Sequence, residues 1–591
     1  MVEIRQLRIN RFRGIRHLTW NPSPGLNLIV GGGDCGKTTI LEAICLLFQP
    51  GNNASLNEAD YWQRRTEDGF AIEATISLVD NFDLASLNKA LWPWEWDGRN
   101  AVQPRSENDD QRGEQIPVFR VVLTGSPDFD LTWEIIQPDE KKEYFSLALR
   151  RRIGLLKLGS EEKNDRDLRL VYGSGLDRLL AEDNLRAKMG KLVSQVPLAD
   201  ELGTDAKRSM VGLSEALERA ALPSEISLGM TGSQGISIGA LIGLTTKKDG
   251  VYLPFTSWGA GTRRMASLQM AASMKKDAEI TVIDEVERGL EPYRLHQLID
   301  GIMEAGRQAF ITSHSPLAVS LLSKGQMWFL DANGQVGALD SRYIETQQRR
   351  DPITFLSKIP VLVEGETEVG FVSEVLWRIL KADPKPLGIR VTHGQGDAQL
   401  LDLLQALNDS RLTVCGFADR DGGKLGRWAT LQSKMGDRLF QWSEGCIETN
   451  LIPLVPADKL ESLFRDEDGD WDGNRLRSVA TRLELVDKDF CKLLEAVGGN
   501  REALRGFIIK AATGSTDDVT EEDPSKKSSI VKEWKKHARH WFKKGDTSGG
   551  RELLQLVVQN DAWEKVEPRL RPFLNSILAM VGKPQVGKIV I

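Results

Sequence analysis

Several short apolar runs in this sequence end in residues that can bind phosphate or cations. Gly31-Gly-Gly33-Asp34-Cys-Gly36-Lys37-Thr38-Thr39 fits GxxxxGK[ST] and follows the run Leu26–Val30. Glycines there let backbone N–H groups curl around phosphate oxygens, and a helix opening at the loop's end adds a favourable dipole. Lys37 is then set to reach the β- and γ-phosphates and Thr38 to ligate Mg²⁺. Far downstream, Ile280-Thr-Val-Ile283 runs into Asp284 and Glu285. Asp284 suits the Mg²⁺ shell, and Glu285 suits polarising an attacking water. A separate group lies further on. Val361-Leu-Val363 leads into Glu364-Gly-Glu-Thr-Glu368, and Leu412–Phe417 leads into Ala418-Asp419-Arg-Asp421. Carboxylates gathered at two strand ends repel one another unless cations bind, and hard divalent ions such as Mg²⁺ or Mn²⁺ suit all-oxygen ligands.

Two more segments accompany the phosphate loop. Ala309-Phe-Ile-Thr312-Ser-His314 ends a strand at a histidine that could contact the γ-phosphate, and Ser257-Trp-Gly259-Ala-Gly261 precedes a helix. With the opening Leu7-Arg-Ile-Asn-Arg-Phe12-Arg13-Gly, these elements resemble the ABC/SMC-like ATPase head. The resemblance implies ATP as cofactor and a place for Arg13 near the nucleotide. It also implies that Ser257 acts on nucleotide held by a second subunit, hence a homodimer or higher oligomer.

The Glu-Gly…Glu and Asp-x-Asp pair strongly resembles a Toprim domain. In related nucleases a strand followed by Ile-Glu-Asn supplies a further acid. Here the segment reads Ile447-Glu448-Thr-Asn450, one residue off that pattern, with Glu448 the matching acid. A basic catalytic residue is also implied, met either by Lys544 or by Arg551 in Gly550-Arg-Glu-Leu. Arginine can neutralise phosphate but cannot share a lysine's proton-transfer chemistry.

An ATPase head split by an insertion and followed by Toprim resembles the OLD family of ATP-dependent nucleases. The Gabija defence nuclease subunit is similar in architecture. The resemblance implies DNA as partner and phosphodiester cleavage with Glu364, Glu368, Asp419, Asp421 and Glu448 as metal ligands. It also implies a role in phage defence or DNA processing, and leaves room for a separate accessory protein. The alternative is a non-catalytic SMC-like DNA-binding or assembly ATPase with an inactive Toprim scaffold. Whether ATP activates or inhibits cleavage is not legible in these residues.

The elements that must position these groups are α/β throughout. Residues 1–155 read as the first half of the ATPase head, and 156–228 as a helical insertion and dimerisation arm. Residues 229–345 read as the second half, 346–357 as a polar linker, and 358–591 as Toprim with a helical extension. Gly514–Lys527 reads as a solvated loop.

The composition fits this reading. The chain has 591 residues, 77 basic against 84 acidic, for a net charge of −7. This excludes a uniformly basic nucleic-acid coat but not a local basic groove. No apolar run approaches the roughly 20 residues of a membrane helix, and no signal sequence opens the chain. Five scattered cysteines without a CxxC pair exclude a disulfide framework and a structural zinc site, and fit a reducing cytoplasm.

Overall fold

The computed structural model describes residues 2–52, 54–78, 91–104, 116–158, 280–331, 334–410, 412–420, 422–466 and 469–591. Between 158 and 280 it describes 168–169, 171, 174, 176, 204, 207–208, 211, 243–248, 251–254 and 257–273. The chain divides into two compact units, Met1–Leu28 with Thr38–Gly325, and Ile29–Lys37 with Gln326–Ile591. The proposed arm at 156–228 lies largely outside the described residues, as does Asp421.

The first unit holds an antiparallel sheet of β1 (Val2–Phe12), β2 (Ile15–Trp20), β4 (Phe70–Leu78), β5 (Trp94–Trp96), β6 (Ala101–Val102), β7 (Ile116–Gly125), β8 (Leu131–Ile136) and β9 (Lys142–Tyr144). Along β1, Val2 and Ile4 are buried and then Leu7 and Ile9, the two-residue period changing phase where the register with β4 shifts between Ile4 and Gln6. A second set has β10 (Leu155–Leu158), β13 (Ile280–Ile283) and β14 (Ala309–Thr312) parallel, with β3 (Leu26–Val30), whose last two residues count with the other unit, next in order. Buried Gln308 bonds both the N–H and the C=O of Ile4, joining the two sheets. The unit also carries α1 (Lys37–Leu47), the short strands β11 (Thr245–Lys248) and β12 (Val251–Pro254), α3 (Ala260–Ser273) after α2 (Leu147–Ile153), and α4 (Pro292–Ala305).

The second unit is built on four parallel strands: β17 (Ile359–Val363), β18 (Ile389–His393), β19 (Cys415–Ala418) and β20 (Leu439–Gln441). A hairpin, β15 (Gln326–Leu330) with β16 (Val336–Leu339), precedes them. The crossovers are α6 (Glu366–Leu380), α7 (Asp397–Asp409) and α8 (Leu425–Met435), after α5 (Arg342–Arg350). β17 and β19 are buried along their whole length, as central parallel strands are. The spatial order is β18-β17-β19-β20. The chain moves outward from β17 to β18, then returns to the far side of β17 to lay down β19. The switch point, where open α/β sheets bind ligands, therefore lies between the C-terminal ends of β17 and β19. Phe417 and Phe440 stack with centroids 4.9 Å apart, and Trp442 and Phe573 complete the aromatic core beneath them.

The polar stretch read as a linker, 346–357, is folded. α5 ends in it, and a 3-10 turn, Pro352–Leu356, follows. Gln347 is buried and donates to Thr354 Oγ1 at 2.9 Å, and Phe355 is fully buried. Gln347 is polar because it meets a partner inside, not because it meets water. The expected loop 514–527 stops short as well: helix begins at Pro524, capped by Asp523, whose Oδ1 accepts from the N–H groups of Ser525 and Lys526. All five cysteines are free thiols. Among the described residues no helix is long and apolar enough to cross a membrane.

Candidate functional sites

The phosphate loop has the backbone its sequence calls for. Gly31 has φ 150°, and a Cβ there would stand 2.4 Å from the carbonyl oxygen of Leu330, so only glycine fits. Gly36 has φ 100° and Asp34 lies in the left-handed region at φ 57°. Gly33 has open space around it. Lys37 is buried, with Nζ folded back onto the carbonyl oxygens of Gly31 and Gly32 at 3.1 and 2.7 Å. Thr39 continues α1.

Within the first unit, Thr38 and Asp284 meet although 246 positions apart. Thr38 Oγ1 lies 3.3 Å from both carboxylate oxygens of Asp284. These are the oxygens that hold Mg²⁺ in P-loop nucleotide sites, so the pair fits that cation. Thr312 holds Asp284 from the neighbouring strand, donating to Oδ1 at 2.6 Å. The same hydroxyl accepts from the N–H of Glu285 at 2.9 Å. Glu285 has φ 48°, a conformation non-glycine residues seldom adopt, and its half-exposed carboxylate pairs with Arg288. His314 is exposed, and its N–H donates to Glu287 Oε1 while Ser313 Oγ donates to Oε2. Glu287 thus clamps the histidine turn, a role that no motif signals. Arg264 is a second such residue. Buried on α3, it donates to the carbonyl oxygens of Asp284 and Arg288, so the glycine-rich helix start is tied to the acidic strand end. Ser257 is exposed and donates to Pro254 O at 2.7 Å, and Gly259 is open to solvent. Arg13 pairs with Glu42, one turn along α1 from Thr38, and with Asp60 at 2.9 Å.

In the second unit the acidic residues gather at the switch point. Glu364 leaves β17, and its carbonyl accepts from the N–H of Gly396 at 3.0 Å. Asp419 leaves β19 and is 3% exposed. Backbone bonds between Arg420 and Gly445 draw in the segment after β20. That segment opens α9 (Ile447–Leu451), where Ile447 and Leu451 are buried and Glu448 is fully buried. Its carboxylate meets the Cys446 thiol and the charge of Lys543. Glu368 lies in the first turn of α6 and reaches back to the N–H of Gly365 at 2.8 Å, so it also caps the helix. Burial, then the Glu448 and Glu364 carboxylates, push its carboxyl up to about 7. Burial, followed by Glu448 and Asp419, likewise pushes the Cys446 thiol up. These mutual shifts mark one cluster.

The cation facing that cluster is Lys543. Its ammonium is held protonated above the usual lysine range, chiefly by Glu448, against an opposing desolvation, with Cys446, Glu368 and Asp419 adding to it. By area the residue is exposed, so the charges rather than deep burial decide its state. Trp541 and Phe542, both fully buried, anchor the segment, and Phe542 O accepts from Thr367 Oγ1 at 3.0 Å beside Glu368. Lys544, one of the two residues expected as the catalytic cation, pairs with Glu552 at 3.0 Å, and Arg551, the other, donates to Thr547 Oγ1 at 2.9 Å. Two adjacent lysines cannot be told apart by type, and only the buried rings before them fix which one faces inward.

The donor set is oxygen-rich and suits a hard divalent ion. Glu448, buried among other carboxylates, is the group such an ion would satisfy. Among the described residues, however, no three His, Cys, Asp or Glu side chains stand in a metal-ready arrangement.

Comparison with known proteins gives two family matches. Residues 6–153 match a model described as "AAA domain". Residues 130–320 match one described as "AAA domain, putative AbiEii toxin, Type IV TA system". The first 320 residues therefore carry AAA-type ATPase domains. A curated relative, the DNA replication and repair protein RecF of Nitrosococcus oceani, is 45% identical over 47 residues, 8% of this chain and 13% of that protein. The chain thus spans only about an eighth of that relative's length. Similar solved structures include an SMC head bound to the C-terminal winged-helix domain of ScpA, at 15% identity over 57% of this chain and 98% of that one, TM-score 0.34. The SMC head of Thermotoga maritima is 13% identical over 57% of this chain and 100% of that one, TM-score 0.28. RecF with ATP is 12% identical over 57% and 99%, TM-score 0.30.

Proposed function

We propose that this protein is a nucleotide-regulated, divalent-metal-dependent DNA endonuclease or nickase of the OLD type, with a C-terminal Toprim domain. The observation that carries the reading is Glu448. Buried beside Glu364, Glu368 and Asp419 at a sheet switch point, it adds to more negative charge than Lys543 balances, which a divalent cation would complete. Asp421 belongs to the same proposed ligand set. A bound Mg²⁺ or Mn²⁺ would supply hydroxide near neutral pH and neutralise the leaving oxygen. Lys543 sits to offset charge on the scissile phosphate, with Lys544 and Arg551 as outer cations. Glu368, with its carboxyl near 7, can hold or release a proton at working pH.

The ATPase half regulates. N–H groups of the 31–38 loop and Lys37 bind phosphates, Thr38 and Asp284 hold Mg²⁺, and Glu285 orients water. Ser257 is exposed, as a residue contributing to a second subunit's nucleotide must be, which supports a homodimer or higher oligomer. The RecF match, to a protein named for DNA replication and repair, supports DNA as partner. A role in phage defence or DNA processing, in a reducing cytoplasm and with a separate accessory protein, follows from the same reading.

A second reading is a DNA-binding ATPase without nuclease activity. It is favoured by Lys543, whose ammonium already faces Glu448. Supercoiled plasmid incubated with Mg²⁺, Mn²⁺ or Ca²⁺, with and without ATP, separates the two. Nicking by the wild type that Glu364→Ala loses, with ATP hydrolysis intact, supports the nuclease. If no combination of metal and nucleotide yields cutting, the nuclease reading falls.

A further inference from the structure

The strongest charge feature outside both sites is the segment between Pro524 and Lys544. The chain carries net charge −7, yet this stretch has Lys526, Lys527, Lys532, Lys535, Lys536, Arg539, Lys543 and Lys544 against Glu533. Lys532, Lys535, Lys536 and Arg539 recur at i, i+3, i+4 and i+7, so they form one stripe of the helix Pro524–His537 and the turn after it. All four are exposed, and none has an ion pair among the described residues. The opposite side is the packing side. His537 and Ala538 are buried, and Trp534 stacks under Arg482 at 4.4 Å. Four cations of one sign on one face repel one another, and a surface helix optimised for stability would intersperse acids.

The stripe is continuous with the acidic cluster. After His540 the buried Trp541 and Phe542 pin the chain, and Phe542 O accepts from the hydroxyl of Thr367, next to Glu368, at 3.0 Å. A polyanion lying along the stripe would be led to the carboxylate cage.

We infer that Lys532, Lys535, Lys536 and Arg539 form a backbone track for duplex DNA that delivers a phosphodiester to the Glu364–Asp419–Glu448 cluster. This rests on the nuclease reading and adds to it the surface that holds the substrate. The occupant is argued from charge and spacing. Duplex DNA presents one phosphate about every 1.7 Å of axis, so a four-cation stripe spanning two helical turns meets several at once. Contacts of this kind read the backbone and not the bases, so the track is sequence-independent.

The test uses the full-length protein carrying Lys532→Gln, Lys535→Gln, Lys536→Gln and Arg539→Gln together. Lys565→Gln with Lys583→Gln serves as a control on exposed lysines elsewhere. Binding to a fluorescein-labelled 30-mer duplex is measured by anisotropy in Ca²⁺ from low to moderate salt. Cleavage of thymidine 5′-p-nitrophenyl phosphate, too small to use the track, is measured beside it in Mn²⁺. With about 0.9 counterion released per phosphate contact, the quadruple variant should lose up to roughly 3.6 from the log–log salt slope. Its affinity should fall at least about tenfold near physiological salt, while small-ester cleavage, helical circular dichroism and the control pair stay as in the wild type. Unchanged affinity and slope in the quadruple variant would overturn the track and leave the nuclease reading standing. A wild type that cleaves neither plasmid nor small ester would remove the nuclease reading on which the track rests. If DNA and small-ester activity fell together, the stripe would be structural and the inference would fail.

Discussion

Glu448→Gln distinguishes a metal ligand from a folding residue. The substitution keeps shape and removes a buried charge. The strain in the cluster can be gauged at Glu368, whose carboxyl is pushed from 4.5 to about 7 by burial first and by Glu448 next. At about 1.4 kcal/mol per unit, that is on the order of 3 kcal/mol held at one carboxylate, and Glu448 accounts for part of it. Without metal, Glu448→Gln relieves Glu368 but gives up the attraction to Lys543, two effects of opposite sign, so stability in EDTA should stay within about 1 kcal/mol of the wild type. With metal the two diverge. An ion present at a hundredfold its Kd stabilises by about 2.7 kcal/mol, which for a unit of this size raises Tm by roughly 5–10 °C. Calorimetry in EDTA and then in Mn²⁺ should show that rise in the wild type and none in the variant. The reasoning is refuted if the variant keeps the full rise. It is refuted equally if the variant is several kcal/mol less stable in EDTA, because Glu448 would then be holding the fold.

Asp284→Ala removes the carboxylate that Thr38 and Thr312 both contact and should abolish ATP hydrolysis; phosphate-release assays check it, and nicking measured alongside shows whether nucleotide promotes or restrains cleavage. Gly550→Ala would set a Cβ 1.8 Å from Thr367 O, where α6 meets the helix Ser548–Gln559, so a loss of about 3 kcal/mol or more is expected in urea unfolding. His537 is buried, and that burial, with Arg482 and His540 nearby, pulls its pKa from 6.5 down to about 4. A lowered folded pKa gives stability present above about 6.5 and lost as pH falls toward 4, on the order of 3 kcal/mol in all. His537→Phe should flatten that part of the acid-unfolding profile, and an unchanged profile would assign the transition to other groups.

The residue types that line both candidate sites were legible in the sequence because they stand at strand ends. The phosphate loop, the Asp284 strand, the Glu364 and Asp419 turns and the α/β alternation are all local patterns. Thr38 meeting Asp284 was foreseeable only because the two motifs imply a shared ion. The ordered segment at 346–357 was not legible, since its glutamines read as solvated until a partner such as Thr354 lies opposite. Nor were Glu287 and Arg264, whose partners lie on other elements.

The sequence by itself settled which groups could bind phosphate or cations, because covalent order sets the residue types at the end of each strand. Tertiary structure alone decided which of them converge. Glu448 became a buried acid only when the Arg420–Gly445 bonds drew its helix under the switch point. Lys543 rather than Lys544 faces the carboxylates because two buried rings set the chain's rotation before them. Long-range packing chooses among chemically equivalent neighbours, and no local pattern encodes that choice.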